Sequence, residues 1–335
     1  MALSPEPQKI SLNKSIKPLV TNTLPPEVTL LHKRSTRLMG NTFEFCVVSD
    51  NPEWANERID DAIAEIQRIE ALLTTFKDDS QTNQINAMAG IRPVKVDTEV
   101  FDLIYRALKI SDLTQGAFDI TYGSIDKRFW NFDTTMTSLP DPEVAKASVR
   151  LINYKNVILD RYQQTVYLKE KGMRIGFGGI GKGYAADRGR QLLKEKGVTS
   201  GFVNAAGDLS AWGHQPNGTP WTIGIADPNS KHHPFSYLKI TDMAVATSGN
   251  YEKVAIINGK KYSHTIDPKT GFPVSGIKSV TIISPSAELS DSMATPVTVM
   301  GIKVGLDLIN QIKNMECIII DEQDKIYSSK NIRLS

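Results

Sequence analysis

The sequence predicts an α+β protein in which mixed β-sheets pack against helices, and three observations lead there. Short β-like runs and amphipathic helical stripes interleave without regular strand–helix–strand alternation. No stretch repeats at a fixed period. The composition, 40% hydrophobic and 23% charged, lies in the ordinary globular range and supports a sizeable core. At 335 residues the chain is longer than the roughly 100–200 of one average domain, yet one continuous core is common at this size. A single large domain is therefore expected over residues 29–335. The 39 basic and 37 acidic residues leave a formal charge of +2, too small a field to collect nucleic acid.

Residues 1–28, rich in Ser, Pro, Lys and Asn and without periodicity, predict a flexible arm ending at Pro25-Pro26. Residues 42–49 (TFEFCVVS) read as a strand. From Pro52 onward Ile59, Ala62, Ile63, Ile66, Ile69, Leu72 and Leu73 recur at 3–4 spacing, the stripe of a long helix. A second helix is predicted over 98–114, with Val100, Leu103, Ile104, Ala107 and Leu108 on one face, before a loop at Gly116. The runs NVILD, TVYL and MRIGF then read as short strands ahead of a Gly-rich turn. A helix over 184–196 stops at Gly197. Strands follow at 201–204, 221–226, 243–247, 253–257 and 277–283, with Asn258-Gly259 as a tight hairpin turn and a helix near 287–300. Cys46 and Cys317 lie in apolar β-like runs and are expected to be buried free thiols. No apolar core of about seven residues marks a secretion signal, and no run of about 18 apolar residues marks an integral membrane segment. As written, the chain is expected in the cytoplasm, or in the periplasm or at a membrane if an export signal has been trimmed.

Four segments carry residues suited to chemistry. Gly178, Gly179, Gly181 and Gly183 surround Lys182 where a β-like run meets a helix. Such a loop exposes backbone amides to a phosphate, although a plain glycine turn with a solvated lysine reads equally well. Val203 to Asp208 (VNAAGD) ends a strand with small residues, and Asp208 there suits an Asx-type turn as readily as a site. His264 follows a short polar strand and precedes Asp267-Pro268, a position for a base facing a cleft or for a structural histidine. Asp291 and Thr295 are four apart and share a helix face, so they offer hard oxygen ligands to magnesium or simply cap the helix.

In this order and spacing, RLMGNTFEF, GAFDITYGSID, GGIGKGYAADRG, VNAAGDLSAWG, VATSGNYEK, YSHTIDPKTGFPV and SDSMATPVTVMG closely resemble the ApbE family of FAD:protein FMN transferases. The resemblance implies an α+β domain enclosing an FAD cleft, with Mg2+ on the pyrophosphate and a Thr or Ser hydroxyl of an acceptor flavoprotein, a redox-chain subunit, as recipient of FMN. By position it places Met39, Phe76, Ala117, Phe118, Asp119, Gly176, Lys182 and Ile266 at the FAD site. It places Asp291, Thr295 and the Gly179 carbonyl at the metal, and makes His264 the base. The chain departs from the family pattern in several places, one being Ile120-Thr121-Tyr122-Gly123 in place of a proline-threonine-valine-glycine run. Gly176 stands where an acidic residue is common, Phe76 replaces a tyrosine, and Pro296 follows the metal threonine. An FAD pyrophosphatase and a non-catalytic FAD-binding protein are the competing expectations.

Overall fold

The computed structural model describes residues 8–12, 30–126, 138–227, 230–249, 254–257, 260–263 and 265–334. Along the chain run β1 (Gln8–Leu12), β2 (Leu30–Leu38), β3 (Asn41–Ser49), α1 (Pro52–Leu73), α2 (Gln81–Ala87), β4 (Val94–Lys95) and α3 (Thr98–Leu113). A 3-10 turn at Ile120–Ser124 leads to α4 (Pro142–Ser148), β5 (Val157–Asp160), β6 (Thr165–Leu168) and α5 (Gly181–Glu195). Then come β7 (Gly201–Ala205), β8 (Asp208–Trp212), β9 (Trp221–Asp227), β10 (Ser230–Ile240), β11 (Ala244–Gly249), β12 (Val254–Ile257) and β13 (Lys260–Ser263). The chain closes with β14 (Ile277–Ser284), α6 (Ala287–Met300), α7 (Ile302–Ile309), β15 (Glu316–Asp321), β16 (Ile326–Ser328) and β17 (Ile332–Leu334).

An eight-stranded sheet in the order β16-β15-β14-β11-β8-β7-β3-β2 forms the centre, antiparallel throughout. Its strands are apolar on both faces because both faces are covered. Phe43, Phe45, Val203, Ala244, Ile282 and Cys317 point into the main core with α1, α3, α5 and α6. Their neighbours Cys46, Phe202, Val245, Ile283 and Ile318 point to the opposite side and meet Trp221, Ile225, Leu238 and Ile240. Those last four belong to a second sheet, β17-β1-β10-β9, which caps the far face. The period-2 alternation of side chains thus sorts one strand's residues between two cores. Both cysteines are free and buried, as their apolar surroundings predict, and burial pushes the Cys46 thiol up to about 12.

α1 starts where the sequence places it. Asn51 caps it, its side chain accepting the Trp54 amide at 3.0 Å, and Pro52 occupies the first turn. The stripe Ala55, Ile59, Ala62, Ile66, Ile69 and Leu73 is buried. Among the described residues no helix is long and apolar enough to cross a membrane. Two expectations change. MRIGF is not a strand: the Asn86 side chain takes both the N–H and the C=O of Ile175, at 2.7 and 3.1 Å, so a side-chain amide replaces a ladder partner. Of the arm over 1–28, Gln8–Leu12 forms β1, parallel to β10 and antiparallel to β17, while the remainder lies outside the described residues. β1 pairs with strands more than two hundred residues away in the chain, which local periodicity does not reveal. The Asn258-Gly259 turn also lies outside the described residues; the strands it joins pair with Ile257 opposite Lys260.

α5 begins at Gly181, earlier than the predicted 184, and the reason is its contact with α6. A Cβ on Gly183 would fall 2.1 Å from the Ala287 carbonyl oxygen and 2.8 Å from Asp291 Cβ. Gly181 and Gly183, which read as loop in the sequence, are helical, and Gly183 is kept small so that two backbones can touch. Gly183→Ala is expected to lower the unfolding free energy by about 1–3 kcal/mol or more, since a backbone cannot yield as a side chain would. Gly178→Ala, with nothing within 4 Å of the added methyl, should stay within about 0.5 kcal/mol. Urea denaturation of the two variants measures the contrast, and equal midpoints would remove the close-contact explanation.

Candidate active site

The loop from Gly176 to Gly181 holds two of the predicted site residues, Gly176 and Gly179, and is bordered by two more, Met39 and Phe118. Its entry is pinned by the Asn86 bonds to Ile175 and by the Gly176 amide, which donates to the Ile120 carbonyl at 3.0 Å. A methyl placed on Gly179 would lie 3.4 Å from Phe118 Cε2, and one on Gly181 would lie 3.6 Å from Met39 Cε. One on Gly176 would lie 3.8 Å from Thr75 Cγ2, so a side chain fits where this sequence has none. Met39, at the β2–β3 turn with φ 50°, therefore borders the loop together with Phe118 and the Thr75-Phe76 turn. The Phe76 ring is 96% exposed, free to stack on a flat ligand. Ala117, Phe118 and Asp119 are buried.

Two predicted flavin-site residues use their side chains elsewhere. Asp119 caps the 3-10 turn: Oδ1 accepts from the Thr121 amide at 2.8 Å and the Thr121 hydroxyl at 2.6 Å, and Oδ2 from the Tyr154 amide at 2.9 Å. Burial still raises its pKa above the usual carboxylate value. Both oxygens are engaged, which leaves the backbone for a ligand. The Ile266 side chain is buried in a small satellite core with Ile125, Ala145 and Val149, while its amide donates to the Tyr122 hydroxyl at 3.3 Å. His264 lies outside the described residues.

The charged end of the site is built by three elements. Lys182, in the first turn of α5, forms an ion pair with Asp208 at the start of β8. Asp291, on α6, accepts the Gly183 amide at 3.0 Å through Oδ2. Two buried carboxylates thus share one ammonium. Burial raises the pKa of Asp208 to about 7, the Asp291 charge adds to the rise, and Lys182 opposes it. Burial likewise raises Asp291, against the pull of Lys182 and the amides of Gly183 and Lys182. Thr295 lies one helical turn beyond Asp291 and is half-buried. Pro296 sits inside α6, which continues to Met300.

This donor set fits magnesium. Asp291, Thr295 and the Gly179 carbonyl are hard oxygens, and the excess of buried negative charge favours a cation. Among the described residues no three His, Cys, Asp or Glu side chains form a metal group. Such a sparse set suits an ion that takes its remaining ligands from water and substrate phosphate.

One carboxylate that the sequence did not single out ties the three elements together. Asp187 on α5 accepts from the Ser210 hydroxyl of β8 at 2.8 Å, and from the Ser286 hydroxyl and the Glu288 amide at the start of α6 at 2.8 and 3.0 Å. Glu288 in turn holds Arg106 of α3 in a two-point ion pair at 2.6 and 2.9 Å. The signal in the sequence is faint: Asp187 is four residues after Gly183, on the same helix face.

The sequence pattern of the ApbE family matches residues 39–319. An FAD:protein FMN transferase of Klebsiella pneumoniae is 32% identical over 271 residues, covering 80% of this chain and 84% of that one. One from Treponema pallidum is 29% identical over 317 residues, covering 90% and 87%. The crystal structure of an ApbE protein from Thermotoga maritima superposes with a TM-score of 0.80 at 30% identity, over 90% of this chain and 97% of the other.

The buried carboxylates make stability depend on pH with a definite sign. Asp208 titrates at about 7 when folded and at 3.8 as an unperturbed group. Between those values the folded chain holds a proton that the unfolded chain has released, so the associated stability is lost as pH rises through the window. Without divalent metal, the melting temperature of the native sequence should fall more between pH 5 and pH 8 than that of Asp208→Asn. Parallel curves for the two proteins would exclude Asp208 as the source.

Proposed function

Because the chain belongs to the ApbE family, we propose that it is an FAD:protein FMN transferase, which moves the FMN half of FAD to a threonine or serine hydroxyl of an acceptor protein and releases AMP. The observation that carries this reading is the charged cluster in which Lys182, Asp208 and Asp291 meet at a glycine loop and a helix start. A dinucleotide pyrophosphate needs amides, a cation and metal ligands in one place, and these residues supply all three.

In this reading the chain works mainly by holding charge in place. Backbone amides of the glycine loop and the Lys182 ammonium receive the pyrophosphate, and Phe76 and Met39 lie where the isoalloxazine ring enters. Asp291, Thr295 and the Gly179 carbonyl would hold Mg2+. When bound, magnesium neutralises charge on the phosphate oxygens. His264 takes the proton from the acceptor hydroxyl. The hydroxyl oxygen then bonds to the phosphorus on the riboflavin side, the pyrophosphate P–O bond breaks, and AMP leaves with that electron pair. The acceptor that suits the reaction is a flavoprotein subunit of a redox chain that carries FMN covalently.

The test is to mix the protein with FAD, Mg2+ and an acceptor flavoprotein, and to look for a fluorescent band on a denaturing gel alongside released AMP. AMP without a labelled acceptor, across several acceptors, would replace transfer by hydrolysis. Asp291→Ala is expected to abolish the Mg2+-dependent reaction; turnover at the native rate in chelator would refute the metal assignment. His264→Ala should bind FAD as before and transfer about 10²–10⁴ more slowly. An unchanged rate would remove the histidine from the chemistry.

A further inference from the structure

We propose that Asp187 is a positioning residue for the charged end of the site, holding Asp291 and Asp208 in register with Lys182; the proposal rests on the FMN-transfer reading given above. Each charge of the cluster sits on a different element: Lys182 on α5, Asp208 on β8 and Asp291 on α6. Asp187 is a single carboxylate on α5 that bonds to both of the others.

Its Oδ1 accepts from Ser210, two residues after Asp208 and so on the same face of β8. Its Oδ2 accepts from Ser286 and from the Glu288 amide, one turn before Asp291. The relation between the helices is reciprocal. Asp291 of α6 receives the Gly183 amide at the start of α5, and Asp187 of α5 receives the Glu288 amide at the start of α6. Each helix start, with its unpaired amides and partial positive charge, is capped by a carboxylate from the other. Two such links, one helical turn apart, fix both the rotation and the translation of α6 against α5. One link alone would leave α6 free to pivot about the Gly183–Asp291 contact. A carboxylate ligand that pivots loses its orientation toward the cation, which is the usual consequence of removing a group that hydrogen-bonds behind a ligand.

The test uses the full chain and reads metal binding directly. Mn2+ is titrated into the protein and free Mn2+ is followed by electron paramagnetic resonance, while FAD affinity without metal is followed by flavin fluorescence. Asp187→Ala is expected to weaken Mn2+ binding about 10- to 100-fold and to leave metal-free FAD affinity within about two-fold. The half-saturating Mg2+ concentration for AMP release should rise in parallel, with turnover recovering at high Mg2+. Asp187→Asn keeps an acceptor oxygen for Ser286 and the Glu288 amide and should restore most of the Mn2+ affinity. If Asp187→Ala does not fold, Ser210→Ala and Ser286→Ala each remove one of the bonds and should give smaller shifts of the same kind. A folded Asp187→Ala with native Mn2+ affinity overturns the proposal. So does a fall in turnover that high Mg2+ does not relieve when Mn2+ affinity is native. The two readings separate cleanly: native protein that labels no acceptor and releases no AMP defeats the transferase reading, whereas the Mn2+ shift still decides the role of Asp187.

Discussion

At Gly183 two helix backbones come so close that no side-chain carbon fits between them, and the placement of every charged group in the site follows from that approach. A Cβ there would overlap the Ala287 carbonyl. Because the backbones touch, the amide of Gly183 reaches Asp291 on the neighbouring helix, and Asp187 reaches back to the start of that helix. A larger residue would push α6 outward and break both links. The glycine is therefore a spacing element first, and its poor helix propensity is a tolerated consequence.

The same contact explains how charge can be buried here at all. A lone carboxylate removed from water is strongly disfavoured, and Asp208 and Asp291 respond with raised pKa values. Compensation comes from Lys182 and from amides at a helix start. When both carboxylates are ionised, one ammonium leaves the cluster one positive charge short. On the proposed function a divalent cation would supply that charge. Structural compensation and functional incompleteness are here the same arrangement.

Much of the fold was legible in the sequence where one face of an element is buried. The stripe from Ile59 to Leu73 marked α1 with its proline start, and α3 and α6 were placed almost to the residue. Legibility failed where the partner is distant in sequence or where a side chain does the work of a backbone. MRIGF has strand-like residues, yet Asn86 satisfies its backbone and no strand forms. α5 starts at Gly181 because of a contact with residue 287, so its first turn looked like loop. Lys182 and Asp208 were each noticed, but their pairing is a fact of topology. Asp187 resembles any solvated helix aspartate until the start of α6 is seen beside it. The Asp119 side chain caps the 3-10 turn and reaches the Tyr154 amide, a role that its position in the sequence does not reveal.

On the proposed function the two ends of the site are built on opposite principles, and the chemistry accounts for the division. At the phosphate end the groups are buried, paired and tied to α5, α6 and β8, because stabilising developing charge depends on dipoles already in place. At the flavin end Phe76 stands exposed on a turn and Met39 on a hairpin, both able to adjust to a ring without moving the sheet. At Gly176 an added Cβ would meet only Thr75 Cγ2, at 3.8 Å, so there is room for a side chain that this sequence omits. On the proposed function, variation at that position would change how the flavin is held while leaving untouched the network through Asp187. Recognition of the ring and alignment of the phosphate would then be separable, so that sequence change at the flavin end is compatible with an unchanged charged cluster.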